Sequence, residues 1–278
     1  MGHPLGRLAL LHPFPSALNA LLVAALAWMA GATSPQVLLL AGAMLGFQAS
    51  IGVLNDLVDA PIDGPDKPWK PIVAGTVRPA TARLLVAAGL VVGVLLAAAI
   101  SPLAALIGLL GWSCGAAYDL WLKQRGVGWI AFAPAFPLLL LFAWTGPTGT
   151  LPPGWVTLLP LAALAGPTLQ LSNALVDLDA DRDAGVRGPV VRLGRRQVVR
   201  VQVTMLLAIL ALAWLTMLSL DAGPGPIALA GTASALAVAG LVGTVRGTPR
   251  SLAWGWTVQA IAMALFAIAW IAAAAAMT

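Results

Sequence analysis

The stretch QVLLLAGAMLGFQASIGVLNDLVDAPID, from Gln36 to Asp63, decides the fold class of this 278-residue chain. It starts as a long apolar run and ends in a cluster of aspartates. About 20 apolar helical residues cross the roughly 30 Å hydrocarbon core of a bilayer. We therefore expect a transmembrane helix whose acidic end emerges at one membrane face.

Similar apolar runs, separated by short polar connectors, recur along the whole chain. Hydrophobic residues make up 60% of it, charged residues only 9%, and the mean hydropathy is +0.93, which excludes an ordinary soluble domain. We therefore expect an all-α membrane protein of nine transmembrane helices in one bundle, a single domain of residues 1–278. The predicted spans lie near residues 14–32, 36–56, 80–100, 102–121, 129–145, 155–176, 197–220, 226–244 and 251–275.

The basic residues predict the topology. All 15 lysines and arginines lie beside connectors on one predicted face, and positive charge beside spans stays in the cytoplasm. The N-terminus is therefore expected inside and the C-terminus outside, as a multi-pass protein of a bacterial cytoplasmic membrane. The isoelectric point of about 10.4 reflects this retention and attraction to anionic membrane lipids, not nucleic-acid binding. The oligomeric state stays open.

Two acidic segments share one spacing. N-D-L-V-D-A-P-I-D at 55–63 and N-A-L-V-D-L-D-A-D at 173–181 both place Asp four and eight residues after Asn. The offset between Asn55 and Asn173 is 118 residues, and the Leu-Val before the central Asp is identical. We infer an internal repeat, with one motif at the end of the second span and the other at the end of the sixth. A chance match between two short motifs is the alternative.

The Asn and central Asp of each motif are four residues apart, so a helix would place them on one face. Pro61 predicts that the helix loosens before Asp63. Carboxylates at a helix C-terminus meet the negative end of the helix dipole. Both motifs therefore require a cation, unless they are solvated surface charges.

Oxygen ligands of this kind suit Mg²⁺, which binds one or two carboxylates and leaves room for substrate phosphate oxygens. Zinc is not expected, because the two histidines, His3 and His12, are distant in sequence from both motifs. Basic residues near the motifs indicate a diphosphate. Lys67 and Lys70 are the first candidates to bind it, because prolines flank and stiffen their segment. The others are Arg78, Arg182 and Arg187.

The two motifs, at the ends of the second and sixth of nine spans, resemble the UbiA superfamily of intramembrane prenyltransferases. N-D-L-V-D-A-P-I-D is similar to the family's N-D-x-x-D-x-x-x-D, and Asp177 with Asp181 fits its D-x-x-x-D. D-A-G-V-R at 183–187, V-R-L-G at 191–194 and Y-D-L-W-L-K at 118–123 are also similar to that family.

This resemblance implies Mg²⁺-dependent transfer of an isoprenyl group from its diphosphate to a small aromatic acceptor, in quinone or related lipid biosynthesis, in a central cavity open to the cytoplasmic face. The implied metal ligands are Asn55, Asp59 and Asp63 at one site, and Asp177 and Asp181 at the other. The diphosphate ligands are Lys67, Lys70, Lys123 and Arg187. The catalytic residues are Lys123, Asp177 and Asp181, and either Asp could instead orient or deprotonate the acceptor. Candidates to line the cavity are Asn19, His12, Tyr118 and Asn173. Asn19 and His12 could instead make contacts between helices.

Two positions depart from the family pattern. Many members carry Arg-Pro-[IL]-x-x-G after the first motif, whereas this chain reads W-K-P-I-V-A-G from Trp69 to Gly75. Gly188 stands where Thr is often found. Two other functions remain open: a terpene cyclase on the same scaffold, and a membrane transporter, which would be expected to place ionisable residues near the membrane midplane.

Overall fold

The computed structural model describes residues 9–64, 67–183, 185 and 188–276, with the backbone alone at Ala9, Ala180 and Asp181. Over these residues the regular secondary structure is entirely helical. A 3₁₀ turn, Ala9–Leu11, precedes nine α-helices, and a π-helical segment, Tyr118–Leu122, follows the fourth. The α-helices are α1 Pro13–Met29, α2 Ser34–Asp63, α3 Pro79–Ala98, α4 Pro102–Ala117, α5 Trp129–Thr148, α6 Trp155–Asp183, α7 Pro189–Leu218, α8 Pro224–Arg246 and α9 Pro249–Ala275.

Proline and capping side chains set the helix starts. Six of the nine helices begin at a proline, where the missing N–H costs nothing and the fixed φ already suits a helix. Ser101 accepts a hydrogen bond from the Ala104 N–H before α4, and Thr248 accepts one from the Ser251 N–H before α9. The short connectors therefore carry their own helix-start signals.

Eight of these helices, α2 to α9, are long and apolar enough to cross a membrane, with α4 counted together with the π-helical segment that extends it to Leu122. The first, α1, has 17 residues, the short end of the spanning range of about 17–25 residues. Many large apolar side chains are exposed on the helix surfaces, as a lipid-facing surface requires. The protein is a multi-pass membrane protein, and a membrane-crossing role for α1 stays a prediction.

The helices of the two motifs continue past their predicted ends, because α2 reaches Asp63 and α6 reaches Asp183. The prediction that the helix loosens before Asp63 is wrong, since Pro61 lies inside α2. Pro61 lacks the N–H that would bond to the preceding turn, yet the helix continues through it to Asp63. The motif residues therefore lie within the last turns of helices rather than in loops.

The chain divides into two compact units. The first contains residues 1–121 and 138–150, and its α2 and α3 cross at glycines. A Cβ on Gly46 would lie 2.9 Å from the Gly89 carbonyl oxygen, so the two backbones touch. Ser50 donates to the Val86 carbonyl at 2.8 Å and accepts from Trp112 Nε1 at 3.0 Å. These contacts hold α2, which carries the first motif, against α3 and α4.

The second unit contains residues 122–137 and 151–278. Its α8 and α9 also cross at glycines, since a Cβ on Gly255 would lie 2.6 Å from the Gly240 carbonyl oxygen. Gln202 of α7 donates to Gln259 of α9 at 2.7 Å, and Gln259 donates to Thr244 of α8 at 3.0 Å. Buried amide contacts of this kind fix helices in an apolar environment.

Candidate functional site

The last two turns of α2 carry three buried carboxylates. Asp56 is 3% exposed, and Asp59 and Asp63 are each 8% exposed. Spacings of three and four residues place these side chains on one helix face, and that face is turned into the protein. A buried carboxylate is costly unless a cation or hydrogen-bond donors compensate it.

Lys70 supplies such a cation. Its ammonium Nζ lies 2.6 Å from Asp63 Oδ2 and 2.8 Å from Asp56 Oδ1. The turns after α2 bring it there, because the Lys67 N–H donates to the Asp63 carbonyl and the Lys70 N–H donates to the Lys67 carbonyl. Burial opposes the charge on Lys70, but the hydrogen bonds and attraction from the two aspartates outweigh it and raise its pKa. Lys70 is therefore protonated at neutral pH.

Two further side chains contact the same carboxylates. Lys67 Nζ lies 3.3 Å from Asp63 Oδ1, and His12 Nε2 lies 3.4 Å from Asp56 Oδ1. His12 caps the start of α1 with a left-handed φ of 44°. Asp56 is not part of the sequence repeat, because the second motif has no Asp at the matching position. In the structure it nevertheless contacts both Lys70 and His12. Its burial depends on the turn after α2, which the motif spacing does not reveal.

Asn55 makes a contact that sequence reasoning missed. Its Nδ2 donates to Asp119 Oδ1 at 2.8 Å. Asp119 is 1% exposed and lies in the π-helical segment after α4, a widened turn often found at functional sites. Because its NH₂ group contacts Asp119, Asn55 has its carbonyl oxygen left to offer a metal. An Asp inside a mostly apolar span was the available signal.

The second motif lies at the end of α6, in the second unit. Leu175 and Leu178 are fully buried against α7, whereas Asn173 and Asp177 are half-buried. Asp179 is exposed and pairs with Arg195, at 2.9 Å between Oδ2 and Nη2. The side chain of Asp181 and all of Arg187 lie outside the described residues, so the structure does not place them.

Arg195 joins three elements of the second unit. Besides contacting Asp179, its Nη1 donates to the Gly247 carbonyl at 2.6 Å, where α8 ends. Arg195 follows Gly194, whose φ of 71° and ψ of 164° interrupt the helical path of α7. The contact holds the end of α6 against the start of α7 and the end of α8.

The remaining predicted site residues lie on three segments. Tyr118 opens the π-helical segment and is half-buried, as is Lys123, which directly follows that segment. Asn19 is half-buried on α1. The structure therefore brings together Asn55, Asp59, Asp63, Lys67 and Lys70 around the end of α2. The functional roles of these and of the other predicted site residues stay predictions.

Gly188 departs from the family pattern for a steric reason. It caps α7 and lies against Gly126, and a Cβ on Gly188 would stand 2.7 Å from the Gly126 Cα. Gly126 has φ 69° and closes the turn after Lys123, because its N–H donates to the Lys123 carbonyl at 2.9 Å. Two glycines thus allow the connector that carries Lys123 to contact the start of α7.

The donor set fits Mg²⁺ bound together with a phosphate ligand. Over the described part of the chain, no group of three or more His, Cys, Asp or Glu side chains is arranged to hold a metal alone. Mg²⁺ needs only one or two carboxylates when phosphate oxygens and water complete its shell. The carboxylates at the end of α2 and the neighbouring lysines match that requirement.

Comparisons with known proteins identify the family. The UbiA prenyltransferase family matches residues 17–258, whereas a search of curated proteins gave no match. A UbiA homologue from Archaeoglobus fulgidus, solved with GPP and Mg²⁺ bound, aligns at TM-score 0.70 and 19% identity over 91% of this chain and 99% of its own.

Two further structures share the fold. An apo UbiA homologue from Aeropyrum pernix K1 aligns at TM-score 0.71 and 19% identity over 91% of this chain and 97% of its own. A digeranylgeranylglyceryl phosphate synthase structure aligns at TM-score 0.70 and 17% identity over 98% of this chain and 97% of its own. The resemblance found in the motifs is thus confirmed by a match that spans most of the sequence, and the chain belongs to the UbiA prenyltransferase family.

Proposed function

We propose that this protein transfers an isoprenyl group from an isoprenyl diphosphate to an acceptor in an Mg²⁺-dependent reaction. The observation that carries the proposal is the buried carboxylate face at the end of α2, with the Lys70 ammonium against it. In a member of a prenyltransferase family, this site offers the oxygen ligands and positive charge that suit a metal diphosphate. The homologue bound to GPP and Mg²⁺ supports the same substrate class and metal here.

We assign the metal ligands as the motifs predict. One Mg²⁺ would be held by Asn55, Asp59 and Asp63, and a second by Asp177 and Asp181. Bound Mg²⁺ would neutralise the negative charge that develops on the departing diphosphate. The side chains that would add fixed positive charge are Lys67, Lys70, Lys123 and Arg187.

The chemical step breaks the bond between the allylic carbon and the diphosphate oxygen, and the electron pair leaves with the diphosphate. The acceptor then bonds to the allylic carbon and loses a proton, which the released diphosphate can accept. In the alternative in which Asp177 or Asp181 does not hold metal, that carboxylate orients the acceptor or takes its proton. Lysine ammonium groups donate hydrogen bonds to the leaving diphosphate, as Lys70 now does to two aspartates. Asn19, Tyr118 and Asn173 would line a substrate cavity that opens to the cytoplasm.

We also propose that the N-terminus and both motifs face the cytoplasm and the C-terminus faces outward. Support comes from the basic connectors. Single cysteines introduced into a Cys114→Ala background would report the orientation through a membrane-impermeant thiol reagent. Residues of the 67–78 connector should react only in opened membranes, and residues near the C-terminus in sealed cells. The reverse pattern would overturn the assignment.

The acceptor is proposed to be aromatic, in quinone or related lipid biosynthesis. Since one structure with this fold is a digeranylgeranylglyceryl phosphate synthase, a glycerol phosphate lipid belongs in the same test. Purified protein would be incubated with Mg²⁺, isoprenyl diphosphates of several lengths and each acceptor, and products would be identified by mass spectrometry. A prenylated aromatic product is expected. A cyclic hydrocarbon formed without any acceptor would establish a cyclase instead. If the isoprenyl diphosphate is not consumed in the presence of any of these acceptors, this acceptor class is rejected.

A further inference from the structure

Lys70 contacts the carboxylate that the proposed function gives to a metal. Its Nζ lies 2.6 Å from Asp63 Oδ2, and Lys67 lies 3.3 Å from Oδ1 of the same group. Both oxygens of Asp63 thus face an ammonium group. An oxygen that accepts a short charge-assisted hydrogen bond from Lys70 cannot also bind Mg²⁺ with the same lone pair.

A cation is required here in the metal-free protein. Asp56 and Asp63 are buried on one face at the C-terminal end of α2, where like charges repel and the helix dipole is also negative. The Lys70 side chain is only 17% exposed and contacts both of them. Lys70 is therefore the cation that both buried carboxylates share, while Lys67 contacts Asp63 and His12 contacts Asp56.

The second contact, to Asp56, gives Lys70 an anchor that does not depend on Asp63. Asp56 Oδ1 lies 2.8 Å from Lys70 Nζ, and Asp56 is not among the predicted metal ligands. If Lys70 gives up Asp63, Asp56 still holds it beside the site. Lysine suits this exchange better than arginine, because its single ammonium on a flexible chain lacks the planar fork that grips a carboxylate at two points.

We propose that Lys70 is a resident counter-ion that competes with the divalent metal for Asp63, so that it sets the metal concentration at which the first motif fills. This inference rests on the proposed function, because it concerns the metal of that site. It also gives a physical role to the lysine that replaces the family's arginine. The expected order of metal affinity is set by the strength of the competitor: weakest with arginine at position 70, intermediate with lysine, and strongest with an uncharged side chain.

The test is Mn²⁺ binding to detergent-purified protein without any isoprenyl diphosphate, followed by the electron paramagnetic resonance signal of free Mn²⁺. Lys70→Met should lower the dissociation constant about tenfold, as expected when one charge-assisted hydrogen bond stops competing for the oxygen. Lys70→Arg should raise it. Arg83→Gln is the matched control, since it removes one positive charge from an exposed position at the start of α3 and should change binding less than about twofold.

Two outcomes overturn the inference: Mn²⁺ binding that is unchanged or weaker in Lys70→Met, or binding that is unchanged or tighter in Lys70→Arg. The second comparison keeps the test decisive if Lys70→Met fails to fold. In the double variant Lys70→Met with Asp63→Asn, the tighter Mn²⁺ binding caused by Lys70→Met should disappear. That result would locate the competition between Lys70 and the metal at Asp63. Because no diphosphate is present, tighter Mn²⁺ binding in a protein that consumes no isoprenyl diphosphate would support the counter-ion while rejecting the proposed function.

Discussion

Asp59→Asn should lower the rate of isoprenyl diphosphate consumption about a thousandfold, because charge stabilisation by a bound metal is worth several kcal/mol and each 1.36 kcal/mol is a factor of ten. The amide has nearly the same shape as the carboxylate, so the packing of this 8% exposed residue is kept. The negative charge that the metal needs is lost. The rate would be measured with saturating Mg²⁺ in detergent.

Asp179→Asn is the matched control. It makes the same chemical change in the other acidic motif, but the Asp179 side chain is 69% exposed and pairs with Arg182 and Arg195. An exposed ion pair contributes only about 0–1 kcal/mol, so the rate should stay within about threefold of wild type. A folded Asp59→Asn protein with more than a tenth of the wild-type rate would remove Asp59 from the proposed metal site.

Gly188→Thr restores the residue common in the family and should nevertheless destabilise this protein. The new Cβ would stand 2.7 Å from the Gly126 Cα, and backbone cannot move aside as a flexible side chain can. Overpacking typically costs about 1–3 kcal/mol, which corresponds to a melting temperature lower by roughly 2–12 °C. The connector after Lys123 would also shift, so activity should fall as well.

Gly223→Thr is the control for this substitution. Both glycines cap a helix that begins with proline, with φ and ψ of −64° and 169° at Gly223 against −71° and 163° at Gly188. Nothing lies within 4 Å of a Cβ on Gly223, and Thr is a favourable cap. Its melting temperature in detergent should match or exceed that of the wild type. Equal melting temperatures for the two variants would show that Gly126 does not constrain Gly188.

The sequence was sufficient to predict the helices, because each apolar run is about as long as a membrane span and most of the helices begin at proline. It was also sufficient to find the family, because the motif at 55–63 is one continuous stretch of sequence and can be recognised without the structure. The prediction for Pro61 failed: α2 continues through the proline to Asp63, although Pro61 has no N–H to donate to the preceding turn.

The contacts of the site depended on tertiary structure. The pairing of Lys70 with Asp56 requires the turns that bring residues 67–70 back onto α2. The hydrogen bond from Asn55 to Asp119 joins residues 64 positions apart on two helices. Neither pair has a fixed spacing that a motif could show. Physical reasoning from sequence therefore proposed the carboxylates and Lys70 as site residues, but it did not predict the contact between Lys70 and the carboxylates.

Release of inorganic diphosphate from isoprenyl diphosphates by the purified wild-type protein tests the central claim most directly. Release is expected with Mg²⁺ present. It should stop on chelation and return when Mg²⁺ is restored. If no diphosphate is released at any chain length with Mg²⁺ and acceptor present, or if release continues unchanged after chelation, the carboxylates at the end of α2 do not form the proposed Mg²⁺-dependent prenyl-transfer site.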